Sequence, residues 1–150
     1  MRQWNSSERT PFRSWGDMVN KIKITSGDVT TFAELNDSPT AQAIWDTLPI
    51  KAQANTWGDE IYFAIPVTRG QEKDAREVVH TGELGYWTPG HAFCIFFGRT
   101  PASQGDEIRA ASAVNIIGKV EGNARVFKKV KDGAAIMIIK NRLCVIGTEP

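Results

Sequence analysis

Cysteine is scarce in this chain of 150 residues: there are two, Cys94 and Cys144. Each lies inside an apolar run, which fits buried thiols in a reducing compartment and not a disulfide framework. Spacing alone does not say whether the two touch. Histidine is equally rare, and neither His80 nor His91 stands at a metal-ligand spacing from a cysteine. An excess of one charge is also missing. Eighteen Lys and Arg face seventeen Asp and Glu, a net charge of +1, so no global field draws nucleic acid to the molecule. The last third is locally basic, with Lys119, Arg125, Lys128, Lys129, Lys131, Lys140 and Arg142. No aromatic residues interleave with them as in a nucleic-acid surface, so a solvated face is expected. Long apolar runs are absent. The most apolar stretch, residues 134–139, falls far short of the ~20 residues that span a bilayer, and Lys140-Asn141-Arg142 interrupts it. The start, Met1-Arg2-Gln3-Trp4-Asn5-Ser6-Ser7-Glu8-Arg9, has no apolar core of a secretory signal. There is no phosphate-cradling glycine loop and no G-x-S-x-G elbow. A cytoplasmic protein with no cofactor, no membrane contact and no nucleic-acid partner is expected.

What is present is a folding pattern with many short strands. At this length roughly 70% of the unfolded surface can be buried, enough for a core without staples. Residues 1–18 show neither helical nor strand period and carry Trp4, Phe12 and Trp15 between Ser, Pro and Gly. They form an expected N-terminal extension to a domain at 19–150, and a possible arm for pairing with a second copy. Residues 19–25 alternate, with Ile22 and Ile24 opposite Lys21, Lys23 and Thr25. After the turn Ser26-Gly27-Asp28, residues 29–35 return as the second strand of a hairpin. Ser38 and Pro39 then stand as cap and first residue of a helix. Its stripe is Ala41, Ile44, Trp45 and Leu48, and Pro49 ends it. Further strands are expected at 50–56, 59–65, 83–87, 92–97, 114–120, 134–139 and 143–146. Short helices are expected at 73–80 and 124–130. The total is a mostly-β domain with two or three short helices, and the frequency of turns suggests a closed barrel.

Two segments mix aromatic side chains with polar groups in a way a plain core strand does not. They are Trp57-Gly58-Asp59-Glu60-Ile61-Tyr62-Phe63 and Gly85-Tyr86-Trp87-Thr88-Pro89-Gly90-His91, the latter running on into Ala92-Phe93-Cys94-Ile95-Phe96-Phe97. A partly apolar pocket with a few polar groups uses that mixture. Alternation puts Ile61, Phe63 and Ile65 on a core face and Glu60, Tyr62 and Ala64 on the other. Glu60 is then a candidate acid, base or ligand anchor, with Tyr62 beside it. The bland alternative is a solvated face with Glu60 in a salt bridge. Tyr86 joins them as a flanking aromatic. Cys94 and Phe96 share a face opposite Phe93, Ile95 and Phe97, so this strand is buried on both sides or lines a pocket. Arg109 follows a polar loop at 100–106 and is a candidate cation for a carboxylate or carbonyl, with a surface role as the alternative. His91 fits a turn residue better than a titrating one. Glu60, Tyr62, Tyr86, Phe96 and Arg109 are the expected ligand-binding residues for a small molecule or short peptide.

Several motifs carry a family resemblance. They are Leu35-Asn36-Asp37-Ser38-Pro39-Thr40-Ala41, Leu48-Pro49-Ile50, the Trp57–Phe63 run, Gly82-Glu83-Leu84-Gly85-Tyr86-Trp87, Phe96-Phe97-Gly98-Arg99-Thr100-Pro101-Ala102-Ser103 and Asn115-Ile116-Ile117-Gly118-Lys119-Val120. Over about residues 20–147 the chain resembles the cyclophilin-like family of small bacterial and archaeal proteins of unassigned function. That resemblance implies a closed eight-stranded antiparallel barrel capped by helices, the fold of peptidyl-prolyl isomerases. True cyclophilins resemble it less. Ile117-Gly118-Lys119-Val120-Glu121-Gly122 is similar to their segment before the last helix, but their Phe-His-Arg and Gln-Gly-Gly stretches have no counterpart. The matching strand carries Glu60 where the arginine is wanted. Peptide-bond rotation meets a barrier of about 18–20 kcal/mol, lowered by a cationic donor to the prolyl nitrogen, and an ionised carboxylate cannot donate. An isomerase or prolyl-peptide chaperone would need Arg99 or Arg109 instead, and stands as the alternative function. A scaffold domain that docks through the Trp4–Trp15 arm is the third.

Overall fold

In the computed structural model, residues 19–141 are described. The N-terminal extension at 1–18, the strand expected at 143–146 and Cys144 lie outside the described residues.

The alternation at the start becomes the hairpin of β1 (Asn20–Ser26) and β2 (Val29–Leu35), registered from Asn20 opposite Leu35 to Ser26 opposite Val29. Its two-residue turn places Gly27 at φ +57, a left-handed conformation that suits glycine. Ile22 and Ile24 are fully buried, with the lysines between them on the outer side. The helix α1 (Pro39–Thr47) follows, its Ser38 side chain accepting from the Ala41 amide at 3.2 Å. Ala41 and Ile44 are buried and Trp45 and Leu48 pack on the same core. Leu48 is extended, as a residue before proline must be.

The remaining strands are β3 (Ile50–Gln53), β4 (Asn55–Thr56), β5 (Glu60–Ala64), β6 (Arg76–Val79), β7 (Glu83–Trp87), β8 (Ala92–Phe96), β9 (Ile108–Val120) and β10 (Ala135–Lys140). They pair in the order β3-β10-β1-β2-β9-β7-β8-β5-β4, with β6 attached to β9 alone. The fold is mostly β, as expected, but its hydrogen-bonded ladder is not closed. The two ends of the order, β3 and β4, are neighbours in the chain across Ala54 and make no ladder with each other. The inner face holds one large core that includes Ile22, Ile44, Ile61, Phe63, Phe93 and Phe127. Phe63 and Phe93 stack there with ring centroids 5.3 Å apart.

Two expectations are corrected. Residues 73–80 do not form a helix; Arg76–Val79 is the strand β6, with Val78 opposite Arg109 and Val79 opposite Ile108. Ala75, Val78 and Val79 fit a helical stripe only because a short segment cannot define a period, and adjacent valines favour the pleated state. The strand expected to begin at Val114 begins at Ile108 and runs 13 residues. Its Ala- and Ser-rich first half is held extended by β6. Residues 124–130 form the expected short helix as a 3-10 turn over Ala124–Lys129, burying Phe127. The turn after β7 is also 3-10, over Thr88–Gly90. His91 closes it, exposed and at φ 49.

Candidate functional site

The outer face of β5, β7 and β8 carries a second buried cluster, built on Cys94, Phe96, Ala110 and Val114, with Tyr62 and Trp87 packed against it. Register explains the grouping. Tyr62 is opposite Cys94, and Cys94 is opposite Gly85, so one row crosses three strands on this face. Glu60 opposite Phe96 forms the next row. β9 supplies the cover. Its second half pairs with β7 and β2, with an irregularity between Leu84 and Gly85, while its first half leaves with β6. The strand β8 is therefore buried on both sides, with Phe93, Ile95 and Phe97 in the inner core and Cys94 and Phe96 in the outer cluster.

Gly85 makes the approach of β9 possible. A Cβ there would stand 2.9 Å from Val114 Cγ2 and 3.3 Å from Phe96 Cε2. Gly58 does the same for the tight turn before β5. It sits at φ +62, and a side chain would meet the Arg99 carbonyl and Pro101 at 2.9 Å. The Trp57 amide closes that turn by donating to the Glu60 carbonyl at 2.9 Å, and the Asp59 amide donates to the Arg99 carbonyl at 2.8 Å.

Between these elements lies a cavity of about 270 Å³. Trp57, Glu60 and Tyr62 line it from the β4–β5 side, Trp87 and Cys94 from β7 and β8, and Ala110, Ala111 and Val114 from β9. Glu60 is its unusual member. The residue is 5% exposed, and its Oε1 has no hydrogen-bond partner among the described residues. Burial raises the carboxyl from its ordinary 4.5 to about 7, and the adjacent Cys94 thiol lowers it by a smaller amount. Cys94 itself is pushed well above its usual range, first by burial and then by the negative charge of Glu60. A thiol so held is a poor nucleophile at neutral pH. Glu60, by contrast, stands where it can give or take a proton near neutrality or pair with a ligand donor. The Trp87 indole N–H is committed to Ser112 Oγ at 2.7 Å.

Of the residues expected from sequence to bind ligand, the structure brings Glu60 and Tyr62 into the cavity and Phe96 into the cluster behind it. It separates the other two. Tyr86 is fully buried in the inner core, where its hydroxyl donates to the Val67 carbonyl at 2.5 Å and accepts from the Arg69 amide at 3.3 Å. Arg109 points its guanidinium to Glu77 at 2.9 Å and Glu107 at 3.1 Å, and its neighbour Ala110 faces the cavity. Arg99 donates weakly to the Ser103 carbonyl at 3.4 Å. Among the described residues, no arginine lines the cavity. Trp57 and Trp87 were legible as aromatics of the two mixed segments; alternation from Gly85 places Trp87 on the cavity face, whereas Trp57 reaches it through the turn at Gly58. Ala110, Ala111 and Val114 give no such signal.

Among the described residues, no group of three or more His, Cys, Asp or Glu is placed to hold a metal ion. No helix among them is long and apolar enough to cross a membrane.

Comparison with known proteins agrees with this architecture. A family model described as Cyclophilin-like matches residues 20–139. No curated protein matches the chain. Among solved structures, the solution structure of the hypothetical protein AF2241 from Archaeoglobus fulgidus is similar at 41% identity and a TM-score of 0.71, covering 82% of this chain and 95% of that one. The structure of McbB in complex with tryptophan is similar in fold, with a TM-score of 0.59 at 15% identity. That likeness covers 80% of this chain and 44% of McbB.

Proposed function

This chain belongs to the Cyclophilin-like family, and from that premise we propose that it binds a small molecule in the outer-face cavity, with Glu60 as the polar anchor. The observation that carries this is the unpartnered Oε1 of Glu60, buried among otherwise apolar and aromatic walls. A buried polar atom without a partner costs about 1–3 kcal/mol, more when charged, and a ligand group that pairs with it offsets that cost. At about 270 Å³ the space suits a body the size of one aromatic ring with a short arm.

The isomerase alternative has less support. A twisted prolyl amide needs a donor at its nitrogen, and among the described residues the cavity supplies a carboxyl with no guanidinium beside it. The sheet is taken as an eight-stranded barrel closed through the chain itself, since β3 and β4 count as one strand bent at Ala54. A cytoplasmic location is supported by the buried, unpaired Cys94 thiol.

Amide chemical-shift titration of the full chain against small aromatic fragments tests the binding role. Tryptophan, the ligand of McbB, belongs in the panel. Shifts confined to the residues around Tyr62, Trp87 and Ala111 are expected. A panel of fragments at millimolar concentration that moves none of these amides would overturn it. Xaa-Pro peptides in the same series should show no enhanced cis–trans exchange.

A further inference from the structure

Resting on the binding role just proposed, we infer that the ligand is an organic cation, an ammonium group on a small apolar or aromatic body, and that its charge completes an ion pair with Glu60. Among the described residues, no cation completes that pair. The charged side chains nearby are already engaged: Arg109 with Glu77 and Glu107, Arg76 with Glu83 at 2.9 Å, and Lys128 with Asp59 at 3.6 Å. A buried carboxylate without a counter-charge is held off from ionising.

The walls favour a cation over a neutral acceptor. Tyr62, Trp57 and Trp87 contribute π systems that attract positive charge. Trp87 has already spent its N–H on Ser112, so it offers no free donor to a carbonyl or carboxylate ligand. An anionic ligand would meet Glu60 with like charge. A neutral acceptor would engage the protonated carboxyl or the Tyr62 hydroxyl and would gain nothing from the three aromatic rings as π donors. An ammonium satisfies both features at once.

The titratable groups that face Glu60 are Tyr62 from its own strand and Cys94 from β8. β7 presents Trp87, and β9 presents Ala110, Ala111 and Val114. None of these is a cation. The ammonium must therefore bind the ionised carboxylate, and the complex sheds a proton wherever Glu60 was protonated beforehand. Affinity for a cation is then expected to weaken about tenfold for each pH unit below about 7.

The test is a matched pair of probes, 2-phenylethylamine and 2-phenylethanol, titrated into the full chain and followed by amide chemical shifts. The expected result at pH 8 is an amine that binds at least tenfold tighter than the alcohol, with the preference shrinking at pH 6. Glu60→Gln, which keeps the shape and removes the charge, should abolish the preference. The wild-type comparison at the two pH values stands even if that variant folds poorly. An alcohol that binds as tightly as the amine, with shifts at the cavity residues, overturns the cation inference and leaves the binding role intact. No shift from either probe or from the fragment panel overturns both.

Discussion

Glu60 stands directly opposite Phe96 in the antiparallel pairing of β5 and β8, so an ionisable carboxyl shares its face of the sheet with a fully buried phenyl ring. This placement links stability to pH. Below about 4.5 the carboxyl is protonated in both the folded and the unfolded chain. Between 4.5 and about 7 the unfolded chain releases the proton and the folded one keeps it, so stability falls as pH rises. Above that range the penalty is constant, at most about 3 kcal/mol. Glu60→Gln should match wild type at pH 4 and be more stable by up to about 3 kcal/mol at pH 8. Urea unfolding across that range measures it. Glu107, lowered to about 2 mainly by the Gln104 and Gly105 amides, has the opposite sign and acts at lower pH. The difference between wild type and variant isolates Glu60. Parallel curves for the two proteins would contradict the assignment.

Gly85 and Val114 offer a second check, on how the cavity is built. Gly85→Ala puts a methyl 2.9 Å from Val114 Cγ2 and 3.1 Å from its Cβ. Overpacking of that kind costs about 1–3 kcal/mol. Val114→Ala alone should also destabilise, through the space it leaves. The double variant should recover a good part of the combined loss, because one methyl fills what the other vacates. Chemical denaturation of the four proteins gives the coupling energy. Strict additivity would mean that the two residues do not meet.

Tyr86 and Tyr62 separate structural from binding roles. Tyr86→Phe removes the donor to the Val67 carbonyl, itself in a buried part of the inner core, and should cost about 1–2 kcal/mol. Cavity binding should not change, because Tyr86 faces away from it. Tyr62→Phe should do the reverse, with a small effect on stability and weaker binding of the probe. Melting temperature and probe titration, measured on both variants, decide the matter. A Tyr86 variant that loses binding at unchanged stability would move the site to the inner face.

The alternation of Ile61, Phe63 and Ile65 against Glu60 and Tyr62 was readable in the sequence, because β5, paired along its length with β8, keeps a period of two. The same rule applied at Gly85-Tyr86-Trp87 sets Tyr86 and Trp87 on opposite faces. Counting aromatics in a segment merges those faces, and that is how Tyr86 joined the expected set. The first half of β9 was not readable. Its residues Arg109-Ala110-Ala111-Ser112-Ala113 have no strand-forming side chains, and it is the partner β6, with the Thr100 and Ser103 side chains on the Arg109 backbone, that holds them extended. β6 in turn looked helical until paired. The cavity roof therefore depends on two segments whose conformation is set by each other. The charge of Arg109 was visible, but its partners Glu77 and Glu107 lie on separate segments that only the fold brings together.

Asn115 carries the last prediction, about the link between the helix and the sheet. It is fully buried, and its side chain joins β9 to two other segments. Its Oδ1 accepts from the Glu72 amide at 2.8 Å, and its Nδ2 donates to Thr40 Oγ1 at 3.1 Å and to the Gly70 carbonyl at 3.0 Å. Glu72 answers from the loop, accepting from the Thr40 amide at 3.1 Å and its hydroxyl at 2.5 Å. The first turn of α1, the chain at 70–72 and β9 are thus held through one amide. Asn115→Ala leaves the Glu72 amide and the Gly70 carbonyl without it and should cost about 2–4 kcal/mol. The loss should be local first: hydrogen exchange at residues 70–76 should quicken more than at β1 or β10. Thr40→Val, which keeps the shape but removes one hydroxyl, should show a smaller change at the same amides. Uniform loss of protection across the sheet would mean that Asn115 supports the core as a whole and not this junction.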